Sequence, residues 1–311
     1  MGVSNLDVVV RRFSLGDESV ILEILSNAFG SLQDAQQPRS IMASRFFDSN
    51  ACFIAEEDGS PVGCVALTGL PRERWYVVRF LAVKPSRSKV QVAEKLLGKI
   101  LEHLGSRRPE FVRATTPAVQ PYVDVYKQSG FRPVRRDFRI TWDLKDSYAV
   151  PNIQIVMRPV LEETAKEAAS IFVRSLASHW DWRTAEQGGT KAVEESFVEG
   201  VRKGEQWMVG QSDGHDVGIV GIIPDFYRHG EARFRGAYVL PENRDRGIGM
   251  ELMSEISRLA IEKGQGKMTV FTFSYLDCLT PGALLYLRSG GKIDAEYLQL
   301  ERVRKKIPSV N

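Results

Sequence analysis

The stretch PENRDRGIGMELM (residues 241–253) follows a strand-like run, AYVL (237–240), and opens a series of helix formers. A helix start leaves backbone N–H groups without partners and carries the positive end of the helix dipole. Such a terminus accepts an anion, most naturally a phosphate. Glycine at that point adopts backbone angles that other residues resist, and keeps side chains from between a phosphate and the amides. Arg244 and Arg246 add charge and forked donors. The stretch is therefore suited to hold a diphosphate. It is not a Walker loop, because the Lys-Ser/Thr ending is missing. It is not the dinucleotide fingerprint either, since GxGxxG is absent and a hairpin precedes it. R-x-x-G-x-G is short enough to be a plain surface loop, so its context decides.

That context is an internal repeat. CFIAEEDGSPVGCVAL (52–67) matches WMVGQSDGHDVGIVGI (207–222), each with two apolar runs around an Asp-Gly turn, the signature of a β-hairpin. FLAVKPSRSKVQVAEKLL (80–97) matches AYVLPENRDRGIGMELM (237–253), and VYKQSGFRPVRRDFRITWDL (125–144) matches LYLRSGGKIDAEYLQLER (285–302). The offset grows only from 155 (Gly59 to Gly214) to 160 (Tyr126 to Tyr286). Each half reads as a strand, one or two helices, a hairpin, a strand ending in Pro85 or Pro241, a helix, a strand, a short helix and a final strand pair. Val92, Leu96, Ile100 and Leu104 fall on one helical face, as do Ile248, Leu252, Ile256 and Leu259, and both stripes read as core. Gly105 and Gly264 are the expected helix stops. Polar residues and Pro151 in KDSYAVPN (145–152) place the boundary, giving domains 1–148 and 149–311.

Bulk properties narrow the class. The chain has 311 residues, enough for two domains. Its net charge of +3 is too weak to argue for nucleic acid. Cys52, Cys64 and Cys278 include no CxxC and join no His cluster, so no metal site is expected. No apolar run approaches membrane-spanning length, and the first residues lack the apolar core of a signal peptide, so the expectation is a cytoplasmic protein with neither membrane nor nucleic-acid partner.

Strand, proline, R-x-x-G-x-G, helix, strand, and a short helix with a Tyr four residues before a Gly resemble the GNAT superfamily of N-acetyltransferases. The family's Q/R-x-x-G-x-G/A motif is met by Arg244, Gly247 and Gly249. Its Y-x-x-x-G-F motif is met in full by Tyr126, Gly130 and Phe131, and by Tyr286 and Gly290 with Gly291 in place of Phe. The likeness covers nearly the whole chain. It implies an α/β fold with a mixed sheet, as two tandem GNAT domains, and acetyl-CoA as cosubstrate.

By the same resemblance, the loop of Arg244, Asp245, Arg246, Gly247, Ile248 and Gly249 holds the diphosphate. A backbone N–H of Tyr238 or Val239 receives the oxyanion, and Tyr286 is the candidate acid for the departing thiol. A phenol with its ordinary pKa near 10 is protonated at neutral pH; the structural alternative is a packing tyrosine. Asp225, Glu231 and Asp277 are weighed as bases acting through water, or as solvated charges. The family's frequent Asn corresponds to Leu279. In the first half Ser88, Gln91 and Ala93 replace Arg244, Gly247 and Gly249, so that half is expected to bind the cofactor poorly and to be structural. Rescue by Arg87 and Lys89 is the alternative. His179, Trp180 and Trp182 in SHWDWRTAEQGG (178–189) border the acceptor region expected from the family, or anchor the domains. The acceptor is a primary amine of a small molecule or of a peptide or protein. The competing reading is a non-catalytic acyl-CoA-binding sensor or interaction module on the same scaffold.

Overall fold

A computed structural model describes residues 8–32, 36–70, 74–86, 88–144, 155–177, 182–276 and 278–303. The first half runs β1 (Val8–Arg12), α1 (Glu18–Phe29), α2 (Gln36–Met42), β2 (Phe53–Glu57), β3 (Ser60–Leu70), β4 (Trp75–Val83), α3 (Lys89–Gly105), β5 (Phe111–Pro117), α4 (Tyr122–Gln128) and β6 (Arg132–Asp143). The second repeats the order with β7 (Val156–Pro159), α5 (Ala165–Ser175), α6 (Trp182–Arg202), β8 (Gln206–Ser212), β9 (His215–Arg228), β10 (Glu231–Val239), α7 (Ile248–Glu262), β11 (Lys267–Tyr275), the two-residue β12 (Cys278–Leu279), α8 (Pro281–Arg288) and β13 (Lys292–Val303).

Both hairpins turn as their sequences require. Asp58 and Gly59 take φ of 52° and 74°, and Asp213 and Gly214 take 51° and 76°. Two consecutive left-handed residues make the turn whose twist matches that of the strands it joins. Next to each turn a glycine lets a helix approach the sheet. A Cβ on Gly63 would lie 3.0 Å from Leu96 and 3.1 Å from the Ala82 carbonyl; one on Gly218 would lie 3.0 Å from Leu252 and 2.6 Å from the Tyr238 carbonyl. Leu96 and Leu252 occupy the same place in the repeat, so one close approach is made twice. Ile248, Leu252 and Ile256 are buried on α7 as their spacing predicts, each stabilising by about 1.5–3 kcal/mol relative to exposure. Gly264 (φ 76°) stops that helix, with Gln265 N–H reaching back to the Ala260 carbonyl. Gly105 instead remains inside α3.

The chain divides into two compact units, and their contents differ from a simple cut between halves. The first unit ends its N-terminal portion at Asp137 and takes Phe273–Cys278 and the chain from Ala295 on; the second takes Phe138–Thr272 and Leu279–Asp294. Strand order in the first is β1-β2-β3-β4-β5-β13, and in the second β6-β11-β10-β9-β8-β7. Thus the last strand of each half completes the other unit. β13 pairs antiparallel with β5 from Tyr297↔Pro117 to Val303↔Phe111. Phe138, Ile140 and Trp142 of β6 lie in the second unit's core, and Leu300 of β13 lies in the first unit's. The final strand pair expected in each half is one long strand, because no turn residues interrupt Arg132–Asp143 or Lys292–Val303. The fold class is as the sequence implies: α/β, with parallel pairs β4–β5 and β10–β11 among antiparallel neighbours.

Candidate functional site

In the second unit β10 and β11 pair in parallel for only three positions, Glu231↔Lys267 to Arg233↔Thr269. Beyond Arg233 β10 stays paired with β9 but has no strand partner on its other edge among the described residues. Leu240 N–H donates to the Val217 carbonyl at 3.0 Å. Backbone groups alternate sides along an antiparallel ladder, so Tyr238 N–H turns toward β9 and Val239 N–H toward the open edge. Among the described residues Val239 N–H has no acceptor. Of the two sequence-predicted oxyanion donors, Val239 is the one turned away from β9. The Tyr238 side chain packs elsewhere: its ring lies 4.9 Å from that of Phe172 and its hydroxyl donates to the Arg235 carbonyl at 3.1 Å.

The chain then crosses to α7 through the loop singled out in the sequence. Asp245 (φ 61°) and Gly247 (φ 82°) are left-handed, and Gly247 is the N-cap of α7. Asp245, Arg246 and Gly247 are exposed, whereas Ile248 is buried in the core. The N–H groups of Asp245, Arg246, Gly247, Ile248 and Gly249 have no acceptor among the described residues; helical bonding resumes with Met250 and Glu251 donating to the Gly247 carbonyl. Five amides without an acceptor among the described residues, at the positive end of a 15-residue helix, suit an anion. Two residues do other work than their motif suggests. The Arg244 guanidinium donates to the Val239 carbonyl at 3.2 Å and to the Ser175 and Ala177 carbonyls at 2.9 Å each, fixing the loop to the end of α5. A Cβ on Gly249 would meet Leu285 at 3.2 Å and Val239 at 3.7 Å, so this glycine admits α8.

Tyr286 on α8 is buried, with its ring edge-on to Trp142 (5.8 Å) and Phe234 (5.4 Å). Its phenol takes a backbone hydrogen bond from Ala237 on β10, and burial raises its pKa above the ordinary value. A Cβ placed on Gly282 would have nothing nearer than the Tyr286 ring, at 3.9 Å, so Gly282 leaves room beside that ring. Trp142 explains Gly291. In the first unit Phe131 lies 5.2 Å from Tyr126. In the second, Trp142 from the exchanged strand takes the neighbouring-ring role, and a Cβ on Gly291 would lie 2.9 Å from it and 2.5 Å from Ile140.

The first unit has helix where the second has its exposed glycine loop. Matching the buried faces (Val92 with Ile248, Leu96 with Leu252, Ile100 with Ile256) shows that α3 begins at Lys89, three residues before the equivalent of the start of α7. Lys89, Val90 and Gln91 are wound into a helical turn where the second unit has its loop, and Val92 N–H donates to the Ser88 carbonyl at 3.0 Å. Ser88 is buried, its hydroxyl donating to Glu57 at 2.9 Å.

Two of the candidate bases, Asp225 and Glu231, lie away from this site. Glu231 opens β10, eight residues from Val239, which at about 3.3 Å per residue is roughly 26 Å along the strand, and Asp225 lies on β9 near that same end. Asp225 accepts from Gly230 N–H (2.7 Å) and Gln265 (3.1 Å), which hold its pKa down. Glu231 is buried rather than solvated, bonded to Arg228 (2.9 Å) and Thr269 (3.0 Å). Asp277, Arg87, His179 and Trp180 lie outside the described residues, and of Trp182 only the backbone, in α6, is described. The sequence reading missed a cavity of about 220 Å³ between α5, α6, β8 and β10, lined by Phe172, Ser196, Phe197, Trp207 and Arg235. Arg235 and the Trp207 indole both donate to Glu205, at 3.1 and 3.0 Å. The signal was available as Trp207 on β8 and Arg235 and Tyr238 on β10, the two strands that flank β9. Among the described residues no helix is long and apolar enough to cross a membrane.

Comparison with known proteins bears on the family and the fold. Residues 20–131 match the model of the acetyltransferase (GNAT) family, and residues 203–290 match that of the acetyltransferase (GNAT) domain. No curated protein matches the chain in sequence. Among solved structures, a GCN5-related N-acetyltransferase from Sphaerobacter thermophilus is similar with a TM-score of 0.67 at 18% identity, covering 95% of each chain. A tandem GNAT protein from the clavulanic acid biosynthesis pathway is similar with a TM-score of 0.60 at 14% identity, over 95% of this chain and 98% of that one. A putative acetyltransferase from Pyrococcus horikoshii gives 0.53 at 14% identity, over 96% and 90%. At these identities the structures speak for the fold. Two family matches in tandem, on two units with one element order, show that the chain belongs to the GNAT superfamily as a tandem GNAT protein.

Proposed function

We propose that the second half transfers an acetyl group from acetyl-CoA to a primary amine, of a small molecule or of a peptide, by direct attack. The observation that carries this reading is the run of five unpartnered amides from Asp245 to Gly249, beside a strand edge on which Val239 N–H is also free among the described residues. The amides take the diphosphate, with Arg246 adding charge from the exposed side. The open edge of β10 takes the amide-bearing arm as an added strand. Val239 N–H stabilises the negative oxygen that forms when the amine nitrogen attacks the thioester carbon. As the C–S bond breaks, the thiolate takes the proton of the Tyr286 phenol, which burial keeps protonated. The proton of the attacking amine leaves to water, and Tyr286 is reprotonated from solvent. The cavity beside Phe172, Trp207 and Arg235 is our candidate for the acceptor side, since the Tyr238 ring links its wall to the end of β10.

The test is a panel of small amines, amino acids and short peptides incubated with the full chain and acetyl-CoA, read as release of free CoA. Turnover above the enzyme-free rate with at least one amine supports transfer. Binding of acetyl-CoA without turnover on any amine would replace the enzyme by the sensor reading.

A further inference from the structure

The first unit contains a second strand edge of the same construction. β4 pairs in parallel with β5 only from Trp75↔Phe111 to Val78↔Ala114, leaving its later residues unpaired on that side. Lys84 N–H donates to the Val62 carbonyl at 2.7 Å, as Leu240 does to Val217. Val83 therefore turns its backbone toward the open edge, as Val239 does. What meets it is different. Val83 N–H donates to the Tyr122 hydroxyl at 2.9 Å, and that hydroxyl donates to the Val83 carbonyl at 3.0 Å.

Tyr122 is the counterpart of Gly282, four residues before Tyr126 as Gly282 is four before Tyr286. Its ring is fully buried, 5.0 Å from Phe29 and beneath the Lys89 ammonium at 4.7 Å. Lys89 in turn belongs to the extra turn of α3. Burial pushes the Tyr122 phenol up to about 12, so it stays protonated and both donates and accepts.

We propose that Tyr122 is a built-in occupant of the first unit's cleft: its hydroxyl satisfies the Val83 peptide in place of an amide-bearing acyl-thioester arm, and its removal uncovers a latent site for such an arm. The proposal rests on the reading of the second unit as the acetyl-CoA site, since it takes Val239 as the functional counterpart of Val83. It differs from the change at the start of α3. The helical turn at Lys89–Gln91 weakens the diphosphate end, whereas Tyr122 closes the arm end.

The test uses the full chain and acetyl-CoA, with calorimetric stoichiometry and amide hydrogen exchange at Val83 and Val239. Wild type binds one equivalent; ligand slows exchange at Val239 and leaves Val83 unchanged. In Tyr122→Gly the Val83 amide exchanges at least tenfold faster, and millimolar acetyl-CoA slows it again. In Tyr122→Phe it exchanges faster, but acetyl-CoA does not slow it, because the ring still fills the cleft. Two equivalents in wild type, or ligand protection of Val83 there, would overturn the proposal without any variant. Failure of acetyl-CoA to protect Val83 in folded Tyr122→Gly would overturn the latent site. Failure of the second-unit reading looks different: zero equivalents in wild type and no protection of Val239.

Discussion

Replacing Trp142 by alanine isolates the consequence of strand exchange. Trp142 lies in the first half of the sequence but is 1% exposed in the second unit's core. Truncating a buried Trp costs about 3–5 kcal/mol through lost burial and the cavity left behind. Its indole N–H also donates to the Ser289 carbonyl (3.2 Å) and hydroxyl (3.3 Å), worth about 1 kcal/mol net and leaving buried acceptors unpaired when lost. Edge-on contacts to Phe234 and Tyr286 add to its hold on the α8 tyrosine. The cost of Trp142→Ala therefore falls near the upper part of that range, about 4–5 kcal/mol. Urea unfolding followed by amide exchange gives both size and place: the loss is expected at Phe234, Leu252 and Ile256, with Val78, Leu96 and Ile100 of the first core little changed. Destabilisation confined to the first core, or below about 1 kcal/mol, would refute the assignment of β6 to the second unit.

Arg244→Ala is expected to cost about 1–3 kcal/mol of stability, because three backbone carbonyls lose their donor, while acetyl-CoA affinity falls less than about tenfold; unchanged urea midpoints with a hundredfold affinity loss would make Arg244 a direct phosphate ligand instead. Tyr286→Phe should lower turnover by about 10²-fold or more with little change in acetyl-CoA affinity, and equal turnover in the two proteins would remove the phenol from the chemistry. Stability should fall in alkali: buried Cys52 and Tyr122 are both raised to about 12, and Cys64, Tyr126 and Tyr286 are also raised. The folded state then holds protons that the unfolded chain has released, so this contribution is complete below pH 9 and is lost as pH rises toward 12. Urea midpoints at pH 8, 10 and 11 check the slope, which a flat profile would contradict.

Much of the fold is legible because its signals are local and occur twice. The Asp-Gly turns, the helix stripes and the Pro85 and Pro241 strand ends each need only neighbouring residues, and the repeat lets one half check the other. Strand exchange left no such trace: Arg113 meets Glu301 across 188 positions, and nothing near either residue specifies that pairing. A hint existed in Gly291, which lacks the family's Phe while Trp142 stands in the other half, but only packing joins the two. Arg244 shows a second limit of local reading. A cation beside a phosphate loop suggests a phosphate ligand, yet its guanidinium is used on carbonyls that the sequence does not bring near. Glu231 is set apart from Val239 by the nine-residue length of β10. Tyr122 and Gly282 could be aligned from sequence, but the meaning of the pair depends on which way the Val83 peptide turns.

The central claim is that the mouth of α7 grips a diphosphate. Titrating acetyl-CoA calorimetrically into wild type and Gly247→Val tests it most directly. A β-branched residue held left-handed costs at least about 1–2 kcal/mol, and escaping that strain moves the amides. The account predicts one equivalent bound by wild type and at least about tenfold weaker binding by the variant. Equal affinities, or no binding to either protein, would contradict it.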